Sequence, residues 1–274
     1  MVHSDESMAA GAFPMTIFAG IALALVGTVR FAEATEIRVY CTGAPAPAAR
    51  AIAAQFSAQT GEQFMFTVAQ PARLEHRLAD GGRADVLILP APVIARLTRS
   101  GMVRAGSTIA LARVGIGVVV RQGAASPDIS TAAAIRKLLL DAHSIVYPDP
   151  EVGGGYTGRT IARMIDGMDI AAVVKPKLTL RSAIGGGVEL VARGQVEVGL
   201  FNISEIIPIK GVTLVGPLPA ELQSYIVFSA AITANSSTPK PDVAFIRMLA
   251  GPLARNAWEK AGLELMAKAP AQAQ

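Results

Sequence analysis

The chain has 274 residues, 51% of them hydrophobic and 17% charged, with a formal charge of +4. A composition this apolar excludes a disordered chain, because it buries enough surface to offset the entropy of folding, and the length suits one large or two medium domains. Sparse aromatics, at 5%, and the lack of any Lys/Arg run argue against a nucleic-acid partner.

Met15–Val29 (MTIFAGIALALVGTV) is an almost unbroken apolar run. Its length of about fifteen residues, at 1.5 Å each, is short for a bilayer core of about 30 Å. Phe31-Ala32-Glu33-Ala34 follows, with small residues ahead of Thr35. Residues 1–34 therefore read as a cleavable secretory signal that sends the body to the periplasm, although no Lys or Arg precedes the apolar run. An uncleaved membrane anchor is the competing reading. Removal of 1–34 takes away Arg30 against Asp5, Glu6 and Glu33, leaving 24 basic and 18 acidic residues, a charge of +6. Such a body favours anionic solutes.

Ile37–Cys41 is a short branched strand, and Cys41, the single cysteine, reads as a buried thiol with no disulfide partner. Thr42-Gly43-Ala44-Pro45 breaks the strand, and a helix over 46–60 ends at Gly61. Residues 63–69 form a second strand, Gln70-Pro71 a turn, and 72–79 a helix closed by Asp80-Gly81-Gly82. Asp85–Leu89 is a continuous apolar strand of the kind buried on both faces, followed by a helix over 91–100 that ends at Gly101. This alternation calls for a parallel, doubly wound sheet. Ligand positions then fall at the carboxyl ends of its strands, at Thr42-Gly43-Ala44, Gln70-Pro71 and Pro90.

Extended segments at 108–112 and 114–121 interrupt the pattern, and a second α/β set follows. It comprises a helix over 132–140, a strand over 144–147, helices over 156–167 and 183–192, and a strand over 196–201. Leu222–Thr233 reads as one long strand, and helices near 242–249 and 252–261 return to the first set. The fold class is α/β, with two Rossmann-like lobes joined by two crossing strands. Lobe I takes 35–114 and 227–274, and lobe II takes 115–226.

Pro148–Thr157 joins a strand to a helix through Gly153-Gly154-Gly155. Converging backbone N–H groups at a helix start make a cradle for an anion. On local evidence alone, a turn with no ligand stays open. Gly153–Thr160 (GGGYTGRT) nearly matches a phosphate loop, but Arg159 stands where that loop needs Lys. Gly185-Gly186-Gly187 opens the next helix similarly. No nucleophile elbow or acid–base constellation is present, so no catalytic residue is assigned and the chain is read as no enzyme. His3, His76 and His143 are isolated, so no metal is expected, nor any cofactor.

Several of these segments are similar to one family. Ala84-Asp85-Val86-Leu87-Ile88, Pro148-Asp149-Pro150-Glu151, Glu189–Gly194 with 196–200, and Leu249-Ala250-Gly251-Pro252 resemble the molybdate-binding components of ABC transporters, with the type II periplasmic fold. The likeness runs from about Ile37 to Met266. It implies a monomeric protein that captures a molybdate- or tungstate-type oxyanion between its lobes and delivers it to a membrane permease. The family's first serine falls at Ala44, beside Thr42 and Gly43, and its second within Gln70-Pro71-Ala72. Its glycine-loop donors fall near Gly154 and Gly155, a backbone donor at Ile184, and its tyrosine at Asn202. Two serines and a tyrosine are thus absent, and Thr42, Gln70, Tyr156, Thr157 and Asn202 are the residues able to substitute. Arg73 and Arg181 lie close in sequence and could pair with a carboxylate, which suits a small organic acid; both read equally as solvated surface charge. A sensory or assembly module on the same fold is the alternative from another class.

Overall fold

The computed structural model describes residues 36–151, 156–181 and 186–266. The expected signal at 1–34, Gly154, Gly155 and Ile184 lie outside the described residues.

The first sheet begins with the expected alternation. β1 (Glu36–Cys41), α1 (Ala46–Thr60), β2 (Gln63–Val68), α2 (Pro71–Ala79), β3 (Val86–Pro90) and α3 (Ala91–Arg99) follow in order. Proline stands in the first turn of all three helices, and Gly61 closes α1 in the left-handed conformation at φ 80°. β1 pairs in parallel with both β2 and β3. Alternate β1 residues face opposite layers: Ile37, Val39 and Cys41 meet α1, whereas Tyr40 meets the layer of α2 and α3. That is double winding.

The chain then passes through β4 (Ile109–Val114) directly into β5 (Ile116–Arg121), leaving the first sheet for the second at Gly115. The second half continues with α4 (Ala132–Asp141), β6 (Ile145–Pro148), α5 (Tyr156–Gly167), α6 (Ala171–Val174), β7 (Leu178–Arg181), α7 (Gly187–Ala192), β8 (Val198–Asn202), α8 (Ile203–Ile206) and β9 (Val212–Pro217). The return strand β10 (Ile226–Ile232), α9 (Pro239–Leu249), α10 (Arg255–Lys260) and β11 (Glu264–Leu265) rejoin the first half. The sheet orders are β11-β4-β10-β3-β1-β2 and β7-β6-β8-β5-β9.

Neither sheet is wholly parallel, which corrects the expectation for the first. β10 inserts antiparallel beside β3, and β4 and β11 continue antiparallel from it. In the second sheet β6 pairs in parallel with β7 and β8, while β5 is antiparallel to β8 and β9.

A second correction concerns Leu222–Thr233, where the strand starts only at Ile226. Gln223 explains the late start. Its amide oxygen accepts from the Ile116 N–H at 2.8 Å and its Nε2 donates to the Ile116 carbonyl at 2.9 Å, doing with a side chain what strand backbone does elsewhere. The helix expected over 183–192 is described over Gly187–Ala192.

Return of the C-terminal helices follows from apolar packing. Phe245 and Trp258 are fully buried beside α1, with the Phe64 and Phe245 rings 4.5 Å apart. Burying a side chain like Phe245 stabilises by about 1.5–3 kcal/mol. The Trp258 indole N–H donates to the Leu249 carbonyl at 2.9 Å. Cys41 is buried and unpaired, and burial pushes its thiol far above the usual range. It is core, as expected.

One short element belongs to both halves. Ile203 of α8 packs against the core of the first half, whereas Ile206 is buried within the second. A Cβ at Gly262 in the first half would come within 2.9 Å of Ser204 N and Ile207 Cδ1. Glycine there permits the close approach.

Candidate functional site

In the first half, the carboxyl ends of β1, β2 and β3 are tied level. Thr42 N donates to the Ile88 carbonyl at 3.2 Å, and Ala69 N to the Cys41 carbonyl at 3.3 Å. Thr42, Gly43, Ala44, Gln70 and Pro71 therefore share one edge of the sheet. Ala44 is half-buried against the core, Gly43 is exposed, and Gln70 and Pro71 are half-buried at the start of α2. Thr42 differs from its neighbours. It is only 6% exposed, and its hydroxyl Oγ1 is buried with no hydrogen-bond partner. Leaving a buried polar atom unpaired costs about 1–3 kcal/mol, so natural folds seldom do it without cause.

In the second half, the polar side chains are already linked. The Thr157 hydroxyl, in the first turn of α5, donates to Asn202 Oδ1 at 3.0 Å. Asn202 Nδ2 in turn donates to Glu205 Oε1 at 2.8 Å. Asn202 ends β8 and Thr157 opens the helix after β6, the strand beside β8, so the chain of bonds crosses adjacent strand ends. Burial pushes the Glu205 carboxyl up to about 7, and the Asn202 amide pulls the other way. The Tyr156 and Ser224 hydroxyls meet at 3.2 Å, joining α5 to the segment that returns to the first half. Tyr156 is 44% exposed.

The expected residues thus fall into two sets, Thr42 to Pro71 in one half and Tyr156 with Asn202 in the other. Among the described residues no hydrogen bond joins the sets. Arg73 and Arg181 are both exposed and make no ion pair among the described residues, as for solvated charge. Arg181 closes edge strand β7 and uses its carbonyl, which accepts from Asp149 N at 2.6 Å. Arg159 Nη1 donates to the Pro150 carbonyl at 3.1 Å, and Gly158 lies so near Pro148 that a Cβ would stand 2.2 Å from its carbonyl oxygen. Both features serve packing of α5 onto the preceding turn. Asp149 Oδ1 accepts from Glu151 N, closing a local turn ahead of α5. No group of three or more His, Cys, Asp or Glu able to hold a metal occurs among the described residues. A groove of about 390 Å³ between α2 and α3 is lined by Ala72 but by none of the other expected ligand residues.

Sequence reasoning missed Glu205, together with Ser204, whose hydroxyl is also buried without a partner. A signal existed. Asn202-Ile203-Ser204-Glu205 has the cap-x-x-Glu spacing of a helix start, in which the fourth residue reaches back toward the first. Here it reaches the Asn202 side chain rather than its backbone.

Comparison with known proteins adds lineage to geometry. The family described as bacterial extracellular solute-binding protein matches residues 37–264. Aconitate isomerase from a Pseudomonas species is 28% identical over 235 residues, covering 84% of this chain and 88% of that one. The molybdate-binding protein ModA of Escherichia coli is 23% identical, covering 92% and 98%. The periplasmic molybdate-binding protein of Azotobacter vinelandii superposes with a TM-score of 0.65 at 19% identity, covering 84% and 100%, a likeness of fold alone.

Proposed function

The chain belongs to the bacterial extracellular solute-binding proteins and has their type II periplasmic fold, and from that premise we propose that it captures a small organic acid anion between its two halves. The observation that carries this reading is the buried, unpartnered hydroxyl of Thr42 at the strand ends of the first half. A ligand oxygen there would complete it.

The donor inventory favours an organic acid over a tetrahedral oxyanion. An oxyanion needs donors around its whole surface, whereas a carbon acid needs them at its ends and apolar wall between. Positions Ala44 and Pro71 offer wall, and Asn202 spends its amide on Glu205. Similarity to a protein named aconitate isomerase supports a carboxylate. The molybdate-type oxyanion remains the second reading, supported by the two molybdate-binding relatives. In either case 35–114 with 227–274 would form one lobe and 115–226 the other. They would close about the crossings at Gly115 and Gln223, and the loaded protein would dock as a monomer on a permease after a signal at 1–34 has exported it. Capture, rather than turnover, is the proposed role.

Thermal melting of the exported form with aconitate, citrate, phosphate, sulfate and molybdate tests the proposal. A true ligand at one hundred times its Kd stabilises by about 2.7 kcal/mol. Stabilisation by aconitate or citrate is expected. A response to molybdate alone would replace the organic acid by the oxyanion, and conversion of bound aconitate, read by its absorbance, would replace capture by catalysis.

A further inference from the structure

The Thr157–Asn202–Glu205 chain of hydrogen bonds runs from the helix start of α5 to α8. The Thr157 hydroxyl donates to Asn202 Oδ1, which leaves the Asn202 N–H₂ facing the Glu205 carboxyl group. Glu205 Oε1 is thereby occupied, while its Oε2 receives no hydrogen bond among the described residues. The carboxyl sits on α8, the element whose Ile203 and Ser204 meet the first half, so it stands where the halves approach. Asn202 and Thr157 on this chain of bonds are positions that the family likeness offers as substitutes for its missing ligands.

The charged surroundings of Glu205 are sparse. β5, β8 and β9, against which α8 packs, carry one charged residue, Arg121, whose guanidinium lies against Gly194. From the first half, Arg113 is engaged with Glu264 and the Tyr225 ring, and Glu259 with Arg255. From α5, Arg159 is turned to the Pro150 carbonyl. No charged neighbour contributes to the shift of Glu205; burial and the Asn202 amide are its causes.

We propose that Glu205 is itself a ligand of the captured anion, binding as the neutral acid through Oε2–H, so that each anion enters together with one proton. An ionised carboxylate beside an anion in a site cut off from water is repelled, whereas a carboxylic acid donates a short hydrogen bond to it. The proton comes from solvent, resides on Glu205, and leaves when the anion leaves; no other bond changes. Linkage then fixes the pH response. Above the titration of Glu205 in the empty protein, affinity falls tenfold per pH unit, and below it affinity is level.

This inference rests on the anion-capture reading, and calorimetry separates the two. Aconitate is titrated into the protein at pH 8, where small carboxylates are ionised, in buffers of low and high ionisation enthalpy. About one proton taken up per aconitate is expected for the native chain and none for Glu205→Gln, whose Kd should be level from pH 6 to 9. Equal uptake by both proteins overturns the role of Glu205 and leaves capture intact. Failure of the native chain to bind aconitate, citrate or molybdate overturns capture and this inference with it. Carbon-13 NMR of the Glu205 carboxyl in the native chain is independent of any variant. Its titration should move upward on saturation with aconitate, and an unmoved titration overturns the proposal.

Discussion

Two buried polar clusters in this molecule are built from similar parts and reach opposite ends. In the first half, Asp85 accepts from Arg38 N, Ser237 N and Ser237 Oγ, and Asp242 accepts from Ser236 Oγ and Thr238 Oγ1. All four carboxylate oxygens have partners, and Thr233 Oγ1 donates to the Ala84 carbonyl alongside. Among the described residues, Glu205 in the second half has one partner and one open oxygen, and the Thr42 hydroxyl in the first half has none. The closed cluster holds strands and a helix together. The open one is where the proposed anion would bind. Burial alone does not mark a site; incomplete bonding does.

The sharpest way to break this contrast is Asp85→Ala. It strands two backbone N–H groups and a hydroxyl, and should cost about 3 kcal/mol or more by denaturant unfolding while leaving the ligand affinity of the folded fraction unchanged. A change in affinity would show that the clusters are coupled.

Next in size is a pH effect. Glu205 is raised in the folded chain to about 7 from an ordinary 4.5, so the folded state holds more protons than the unfolded between those values. Stability from this group is therefore greatest below pH 4.5, falls between 4.5 and 7, and stays low above, a span on the order of 3 kcal/mol. Glu205→Gln should flatten the unfolding free energy across pH 5–8. Asp242 is also raised, chiefly by burial, and remains in both proteins, so their difference isolates Glu205.

Thr42→Val sharpens the contrast differently. Since its hydroxyl is buried and bonds to nothing in the empty chain, Val should leave the melting temperature level or raise it, while affinity for the responding anion should weaken by about 1–3 kcal/mol, roughly five- to 150-fold. A lowered melting temperature with intact affinity would make Thr42 structural. Smallest is Tyr156→Phe, which removes a half-exposed hydroxyl contact with Ser224 and should change stability by about 0.5–1 kcal/mol in the same melt.

The first half was readable because its elements are punctuated. Prolines start α1, α2 and α3, and Gly61 and Gly101 stop two of them at positive φ. Val86–Pro90 is apolar enough to sit at the centre of a sheet. Its antiparallel neighbours were not readable, because β10 is contributed from far along the chain and nothing local states its direction. In the second half, α8 is four residues long, and Ile203, Ile206 and Ile207 fit strand and helix equally. β9 is only half-buried and follows a glycine turn. Of the site, Thr42, Tyr156 and Asn202 were named from strand ends and family likeness. Glu205 was not, because its raised titration arises from burial that appears only in the folded chain. Nor can any local pattern tell that Thr42 lacks a partner, since that depends on what every other residue fails to reach.

The seating of α8 carries a mechanical consequence. A single helical turn with one isoleucine in each core cannot follow both bodies if they part. Ile206, 1% exposed, is held far more firmly than the half-buried Ile203. Should the halves part to admit the proposed anion, Ile203 is therefore the tooth that would slip, and a greasy peg would set part of the cost of opening.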